Sequence, residues 1–394
     1  MQTSHSLMLV LAAACLVASC AEPQAVTTPP SESALAPPVG DERGAIVSRV
    51  EMGHTDLAVR FLGATATRGV YRSRSRGADR GTEVSGVIFT PNGVPPEGGW
   101  PIVSVGHGTT GVTDECAPSL YPNLLGTIGM VAPFLERGMV VAVTDYEGIG
   151  TPGSHPYLDP DAAAYNVVDA VRAARNVVPG AGTRWGAIGN SQGGQAVWAA
   201  SEKWDYGDGL ELVGSAALSP VLNMAPMFAA GHTNTLPQTL LTPFLVEGLQ
   251  YRQPDAVDSE FIRGALVTDQ RALTACTDLL GVQKAEAATR LLPSDATPET
   301  EASRVRMVDW LTSVALPREP SEVPLLVVVG EQDQLIDPKW TRDAVRQACS
   351  MGDVVAERLE PGQGHSDQAA VYAGVTWLSD RFAGLPAPNS CPGG

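Results

Sequence analysis

Between a short apolar run, Trp185 to Gly189, and a stretch of helical character, Gln192 to Trp204, the chain reads Gly189-Asn190-Ser191-Gln192-Gly193, with Gly194 following. A strand that turns into a helix this abruptly needs flanking residues without bulk, so that the backbone can bend and the helix can lie close to the sheet. The turn exposes the Ser191 hydroxyl above the strand end, beside a helix N-terminus that favours developing negative charge. Such a turn belongs in a chain of alternating strands and helices, and the remaining sequence reads that way. Glu83 to Thr90 alternates and stops at Pro91-Asn92-Gly93, as a strand does before a turn. Pro101 to Gly106 and Met139 to Thr144 are short apolar runs suited to strands buried on both faces, and Leu212 to Leu218 is a further strand. Leu124 to Arg137 and Asp161 to Val178 carry helical patterns. After Pro320 the alternation resumes with a strand from Pro324 to Val329, a helix from Pro338 to Met351, a strand from Asp353 to Leu359 and a helix from Ser366 to Phe382. The order implies an α/β fold, a mostly parallel sheet flanked by helices. Residues 221–320 are mainly helical, without a strong strand, and read as an inserted cap or lid, leaving a core of 43–220 and 321–394.

Composition narrows the partners. Of 394 residues, 44% are hydrophobic and 18% charged, enough for a sizeable core. A net charge of -17 disfavours nucleic acid and anionic headgroups as electrostatic partners and says nothing about uncharged substrates. Leu7 to Ala18 is apolar and shorter than the ~20 residues that span a bilayer. It runs into Val17-Ala18-Ser19-Cys20, which resembles the lipobox of bacterial lipoproteins, where cleavage precedes the cysteine and the cysteine is acylated. Residues 1–19 are then a signal peptide, Cys20 a lipid attachment point and 20–42, rich in Pro, Ala, Ser and Thr, a flexible tether. Met1 to Ser6 carries no Lys or Arg, so an ordinary secretory signal stands as the alternative. Both readings predict export, and the first predicts attachment to a membrane through Cys20. Of six cysteines, setting aside Cys15 and Cys20 leaves Cys116, Cys276, Cys349 and Cys391, which in an exported chain read as two disulfides with three possible connectivities. No Cys or His spacing suggests a metal, and no cofactor is expected.

A serine hydroxyl needs a general base. His5 falls in the signal, His54 ahead of the predicted sheet, His155 in a Pro/Gly-rich loop and His232 in the insertion, while His107 is followed at once by Gly108-Thr109-Thr110-Gly111. His365, in Pro361-Gly362-Gln363-Gly364-His365 between the last strand and the last helix, can approach the nucleophile from the same end of the sheet. The base needs an acid to fix its tautomer. Asp333 follows the strand ending at Val329, with Glu331 and Asp337 as alternatives; Asp337, directly before Pro338, is accounted for as a helix N-cap. An oxyanion hole would take one backbone N–H from Gln192 and one from Thr109, or from Gly108, in the loop after the strand ending at Gly106. Asp145 and Glu147 read as residues that hold loops in place, and Phe228 and Phe244 as either acyl-pocket lining or core of the insertion.

Taken together, His107-Gly108-Thr109, Asp145-Tyr146-Glu147-Gly148, Gly189-Asn190-Ser191-Gln192-Gly193-Gly194 and Gly362-Gln363-Gly364-His365 resemble, in that order, the secretory lipase family of the α/β-hydrolase superfamily. The resemblance runs from about Arg43 to the C-terminus. It implies a metal-free serine hydrolase with a helical lid in 221–320, acting on acylglycerols or related carboxylic esters; a monomer is expected. It also implies the disulfide pairs Cys116–Cys276 and Cys349–Cys391. The chain departs from fungal members in its lipoprotein-like signal. The same fold and triad also serve peptidases, acyltransferases and polyester hydrolases, and a silent surface binding protein is the alternative of a different class.

Overall fold

The computed structural model describes residues 42–76, 81–277, 280–365 and 367–393. The signal, the lipidation cysteine Cys20 and nearly all of the tether lie outside the described residues. From the N-terminus, β1 (Ile46–Glu51), α1 (Leu57–Phe61), β2 (Thr65–Arg74), β3 (Gly81–Thr90) and β4 (Trp100–Gly106) are followed by α2 (Ile128–Glu136), β5 (Val140–Thr144) and α3 (Pro160–Val177). Next come β6 (Ala181–Asn190), α4 (Gln192–Glu202) and β7 (Glu211–Leu218). Among the described residues the α-helices α5 (Leu236–Arg252), α6 (Ala265–Thr268), α7 (Gln270–Leu273), α8 (Gly281–Ala288) and α9 (Glu301–Ser313) then intervene, before β8 (Leu325–Gly330), α10 (Pro338–Met351), β9 (Val355–Glu360) and α11 (Gln368–Phe382).

One nine-stranded sheet carries all of this, in the order β1-β2-β3-β5-β4-β6-β7-β8-β9. From β5 to β9 every pairing is parallel, and β1, β2 and β3 add an antiparallel flank. The sequence pattern brought out only β3 of that flank. In β2 the buried Arg68 and Ser73 break the apolar alternation, and Arg68 Nε finds Ser119 Oγ at 2.9 Å. The central strands sort their side chains by parity. Ile102, Val140, Ala142, Ala187, Ala217 and Val327 face one layer with Trp198 of α4 and Ala164 of α3; Val103, Val141, Val143, Ile188, Ala216 and Val328 face the other with Phe134 of α2 and Leu378 of α11. The helix expected from Leu124 begins only at Ile128, because Leu124 and Leu125 take left-handed backbone angles (φ 52° and 49°) in a 3₁₀ turn ahead of it.

The residues between β7 and β8 hold no strand among those described, and build their own apolar core around Phe228, Phe244, Phe261, Met307 and Trp310. That core continues onto the sheet's C-terminal edge through Tyr157, Ile336 and Trp340. All the candidate site residues lie along that edge, where Gly106, Thr144, Asn190, Leu218 and Gly330 end their strands.

Candidate active site

Ser191 sits in the turn between β6 and α4 with φ 56° and ψ -119°, a conformation L-residues seldom adopt. Its own N–H donates to Leu218 O at 2.9 Å, pinning the turn to the neighbouring strand. The flanking glycines are required by contact. A Cβ on Gly193 would lie 2.0 Å from Gly106 O, and one on Gly189 would lie 2.2 Å from Gly193 O. No larger residue lets α4 approach β4 and β6 this closely.

Asp333 and His365 arrive on the loops after β8 and β9. His365 Nδ1 lies 2.7 Å from Asp333 Oδ2, while Asp333 Oδ1 accepts the N–H groups of Leu335 and Ile336 at 2.8 and 3.0 Å. Asp333 is buried, so its carboxylate is held in one pose by three bonds. The bond to Asp333 puts the ring proton on Nδ1 and leaves the Nε2 lone pair free; Nε2 is buried and has no hydrogen-bond partner among the described residues. Asp337 caps α10 through Lys339 N at 2.8 Å, and Glu331 is exposed.

Ser191 and His365 share the wall of one cavity of about 420 Å³. Gly108, Thr109 and Thr110 form a further part of the wall, and Leu125, Met130, Leu218, Leu241, Leu335 and Val371 line the rest with apolar surface. Phe228 and Phe244 belong instead to the core between β7 and β8, which reaches the cavity through Leu241, with Thr277 beside it in the wall. Thr277 also ties the loop after β4: its N–H donates to Thr110 O at 2.8 Å and its hydroxyl to Thr109 O at 3.1 Å. Next to it, Cys276 is bonded to Cys116, and the second disulfide joins Cys349 to Cys391; these are the two pairings implied by resemblance.

Beneath the cavity the polar groups hold loops. Asp145 accepts from Ser85 Oγ at 2.6 Å and Ser119 N at 2.9 Å, and from Ser119 Oγ. His107, buried at the root of the Gly/Thr loop, has Nδ1 2.6 Å from Gly108 O and Nε2 3.3 Å from Asp145 O, and burial lowers its basicity. Two residues that the sequence reading passed over stand close to the candidate oxyanion positions. His155 Nε2 lies 2.9 Å from Gln192 Nε2, and Tyr157 Oη lies 2.8 Å from Thr109 Oγ1. Their only sequence signal was a His and a Tyr in the loop after a strand's C-terminal end. Among the described residues no group of three or more His, Cys, Asp or Glu side chains could hold a metal ion.

Comparison with known proteins agrees with this architecture. The secretory lipase family model matches residues 126–266. The chain is 28% identical to the probable inactive lipase MT1628 of Mycobacterium tuberculosis (strain CDC 1551 / Oshkosh) over 383 residues, 89% of this chain and 81% of that protein. Among solved structures, Candida antarctica lipase A in its closed state superposes with a TM-score of 0.68 at 14% identity, covering 89% of this chain and 84% of the lipase. The ligand-bound rice cell wall degrading esterase LipA of Xanthomonas oryzae gives a TM-score of 0.66 at 18% identity, covering 86% and 96%. The chain has the α/β-hydrolase fold and resembles the secretory lipases in sequence.

Proposed function

We propose that the protein is a serine hydrolase of carboxylic esters, of lipase or esterase type, with Ser191, His365 and Asp333 as its triad. One observation carries the reading: His365 is oriented by Asp333 through Nδ1 while its free Nε2 belongs to the same cavity wall as the strained Ser191. In the mechanism, Nε2 of His365 takes the Ser191 proton as Oγ attacks the ester carbonyl. The N–H groups of Gln192 and Thr109 hold the resulting oxyanion. The alcohol leaves with the proton from His365, and water, deprotonated in turn by His365, releases the acid from the acyl-enzyme. Asp333 keeps the imidazole in its tautomer and stabilises the imidazolium.

The apolar lining favours the acyl chain of a lipid ester such as an acylglycerol. The segment 221–320 serves as the cap over the core of 43–220 and 321–394. Two disulfides suit an oxidising compartment, and with the leader pattern they support export, with Cys20 as the lipid anchor and a monomeric enzyme on the tether of residues 20–42. No helix among the described residues is long and apolar enough to cross a membrane.

A second reading, a silent protein using the fold for binding, is favoured by the name of the Mycobacterium tuberculosis relative. The deciding experiment is hydrolysis of p-nitrophenyl esters from acetate to palmitate by wild type and Ser191→Ala, with fluorophosphonate labelling of both. Loss of several orders of magnitude in kcat in the variant, with labelling confined to wild type, is expected. A folded wild type that cleaves no ester and takes no label hands the case to the silent reading. The chain-length optimum separates lipase from short-chain esterase.

A further inference from the structure

Thr109 lines the cavity and Gln192 directly follows Ser191 in its wall, and each sends its side chain back to the same short loop. Gln192 Nε2 meets His155 Nε2 at 2.9 Å, and Thr109 Oγ1 meets Tyr157 Oη at 2.8 Å. Only Pro156 separates the two anchoring residues, and its ring removes one backbone freedom between them. His155 is 5% exposed and Tyr157 1%.

The direction of the first bond follows from chemistry. His155 Nδ1 lies 2.7 Å from the carbonyl oxygen of Glu147, which can only accept, so Nδ1 carries the proton. Burial, the dominant cause, holds the ring's pKa at about 4, so it is neutral and Nε2 is an acceptor. The Gln192 amide must then turn its N–H₂ towards the ring; the reverse orientation would set two acceptors face to face. Tyr146 holds the ring from one side, with centroids 6.0 Å apart, and its hydroxyl donates to His107 O at 3.1 Å. Gln192 Oε1 is buried without a partner among the described residues, beside a cavity of about 10 Å³ lined by Tyr146, His155, Asn166 and Gln195. That is close to the room one water needs.

We infer that the His155-Pro156-Tyr157 loop is the positioning element of the oxyanion hole, fixing the gap between the N–H groups of Gln192 and Thr109 by gripping both side chains from behind. The inference rests on the serine-hydrolase reading. Both donors must come within about 2.7–3.1 Å of one developing oxyanion; Thr277 holds the Thr109 carbonyl alone, whereas the 155–157 loop bonds to the side chains of both donor residues. Gln192 belongs to a helix start and Thr109 to a loop between Gly108 and Gly111 on a different strand. His155 and Tyr157 act through these residues and touch no substrate.

The test uses the full mature protein with His155→Leu, His155→Gln and Tyr157→Phe. Leu removes the acceptor, Gln restores one near the position of Nε2, and Phe keeps the buried ring while deleting the hydroxyl. His155→Leu and Tyr157→Phe are expected to lower kcat by about 10- to 100-fold, the cost of small misplacement at a reacting centre, with KM changed less than about two-fold. Affinity for an alkylboronic acid, which forms a tetrahedral adduct with an oxyanion, should fall by a similar factor, and His155→Gln should recover most of both losses. Thermal unfolding is followed in parallel. Variants that keep wild-type kcat and boronate affinity overturn the inference, as does a kcat loss that only tracks the unfolded fraction. A wild type inert to esters and to fluorophosphonate overturns the underlying reading and the inference with it, and that outcome is distinct from an active wild type with indifferent variants.

Discussion

Asp333 and Asp337 lie on the same loop after β8. Asp333 spends both oxygens, one on His365 and one on two backbone N–H groups, whereas Asp337 caps α10. On the proposed mechanism, Asp333→Asn is expected to cut kcat by roughly 10⁴-fold by letting the imidazole take the wrong tautomer, the size such a change has in a well-characterised serine protease. Asp337→Ala should cost about 1 kcal/mol of stability and leave kcat unchanged. Steady-state kinetics and urea unfolding of the two variants decide it, and equal kinetic losses would sink the assignment. The sequence allowed this separation because Asp-Pro announces a helix start. Ser191 was legible because Gly189 and Gly193 are the residues that close packing leaves possible. His155 was not, since its meaning comes from Gln192, 37 positions away across the turn. A lone histidine in a Pro/Gly-rich loop carries no trace of the partner it will meet.

Among the elements, the loop after β4 is held from above as well as below. Cys276 and Thr277 grip it through the bond to Cys116 and through the carbonyls of Thr109 and Thr110. The two disulfides therefore differ in consequence. Cys116–Cys276 closes 160 residues and Cys349–Cys391 closes 42, which in the chain-entropy account stabilise by roughly 5 and roughly 4 kcal/mol. Replacing Cys116 and Cys276 by Ala is expected to lower kcat and stability together, while replacing Cys349 and Cys391 should lower stability alone. Denaturant unfolding beside ester hydrolysis makes the comparison, and an undiminished kcat in the first pair would mean that the Cys116–Cys276 link does not position the loop after β4. At this scale the parallel half of the sheet was legible, because strands buried on both faces read as unbroken apolar runs. The antiparallel flank was less so: β1 is partly exposed and β2 hides Arg68 and Ser73 among its neighbours, so neither shows a clean period.

For the whole molecule, the buried ionisable groups pull stability in opposite directions with pH. Burial foremost raises the Glu202 carboxyl from 4.5 to about 7 and that of Asp169 from 3.8 to about 6. Each holds its proton more firmly in the folded chain, so its contribution is complete below the unfolded value and is lost as pH rises through the folded one. His155, lowered from 6.5 to about 4, does the reverse and gives up stability as pH falls through that interval. Between about 4.5 and 6 the slopes oppose each other, and from 6.5 to beyond 7 Glu202 acts alone among these three, each displaced unit being worth about 1.4 kcal/mol. Unfolding free energy is therefore expected to decline from pH 6.5 to 8, and Glu202→Gln should flatten the decline. Parallel curves for the two proteins in urea titrations would count against it. The order of the parts along the chain has a consequence in time. Ser191 follows β6, but Asp333 and His365, the acid and base of the proposed triad, come only after β8 and β9, beyond the helices between β7 and β8. A chain that crosses a membrane N-terminus first delivers that serine well before the two proposed partners. On the proposed mechanism, ester cleavage waits until residue 365 has emerged, and a product cut short before it carries Ser191 without its general base.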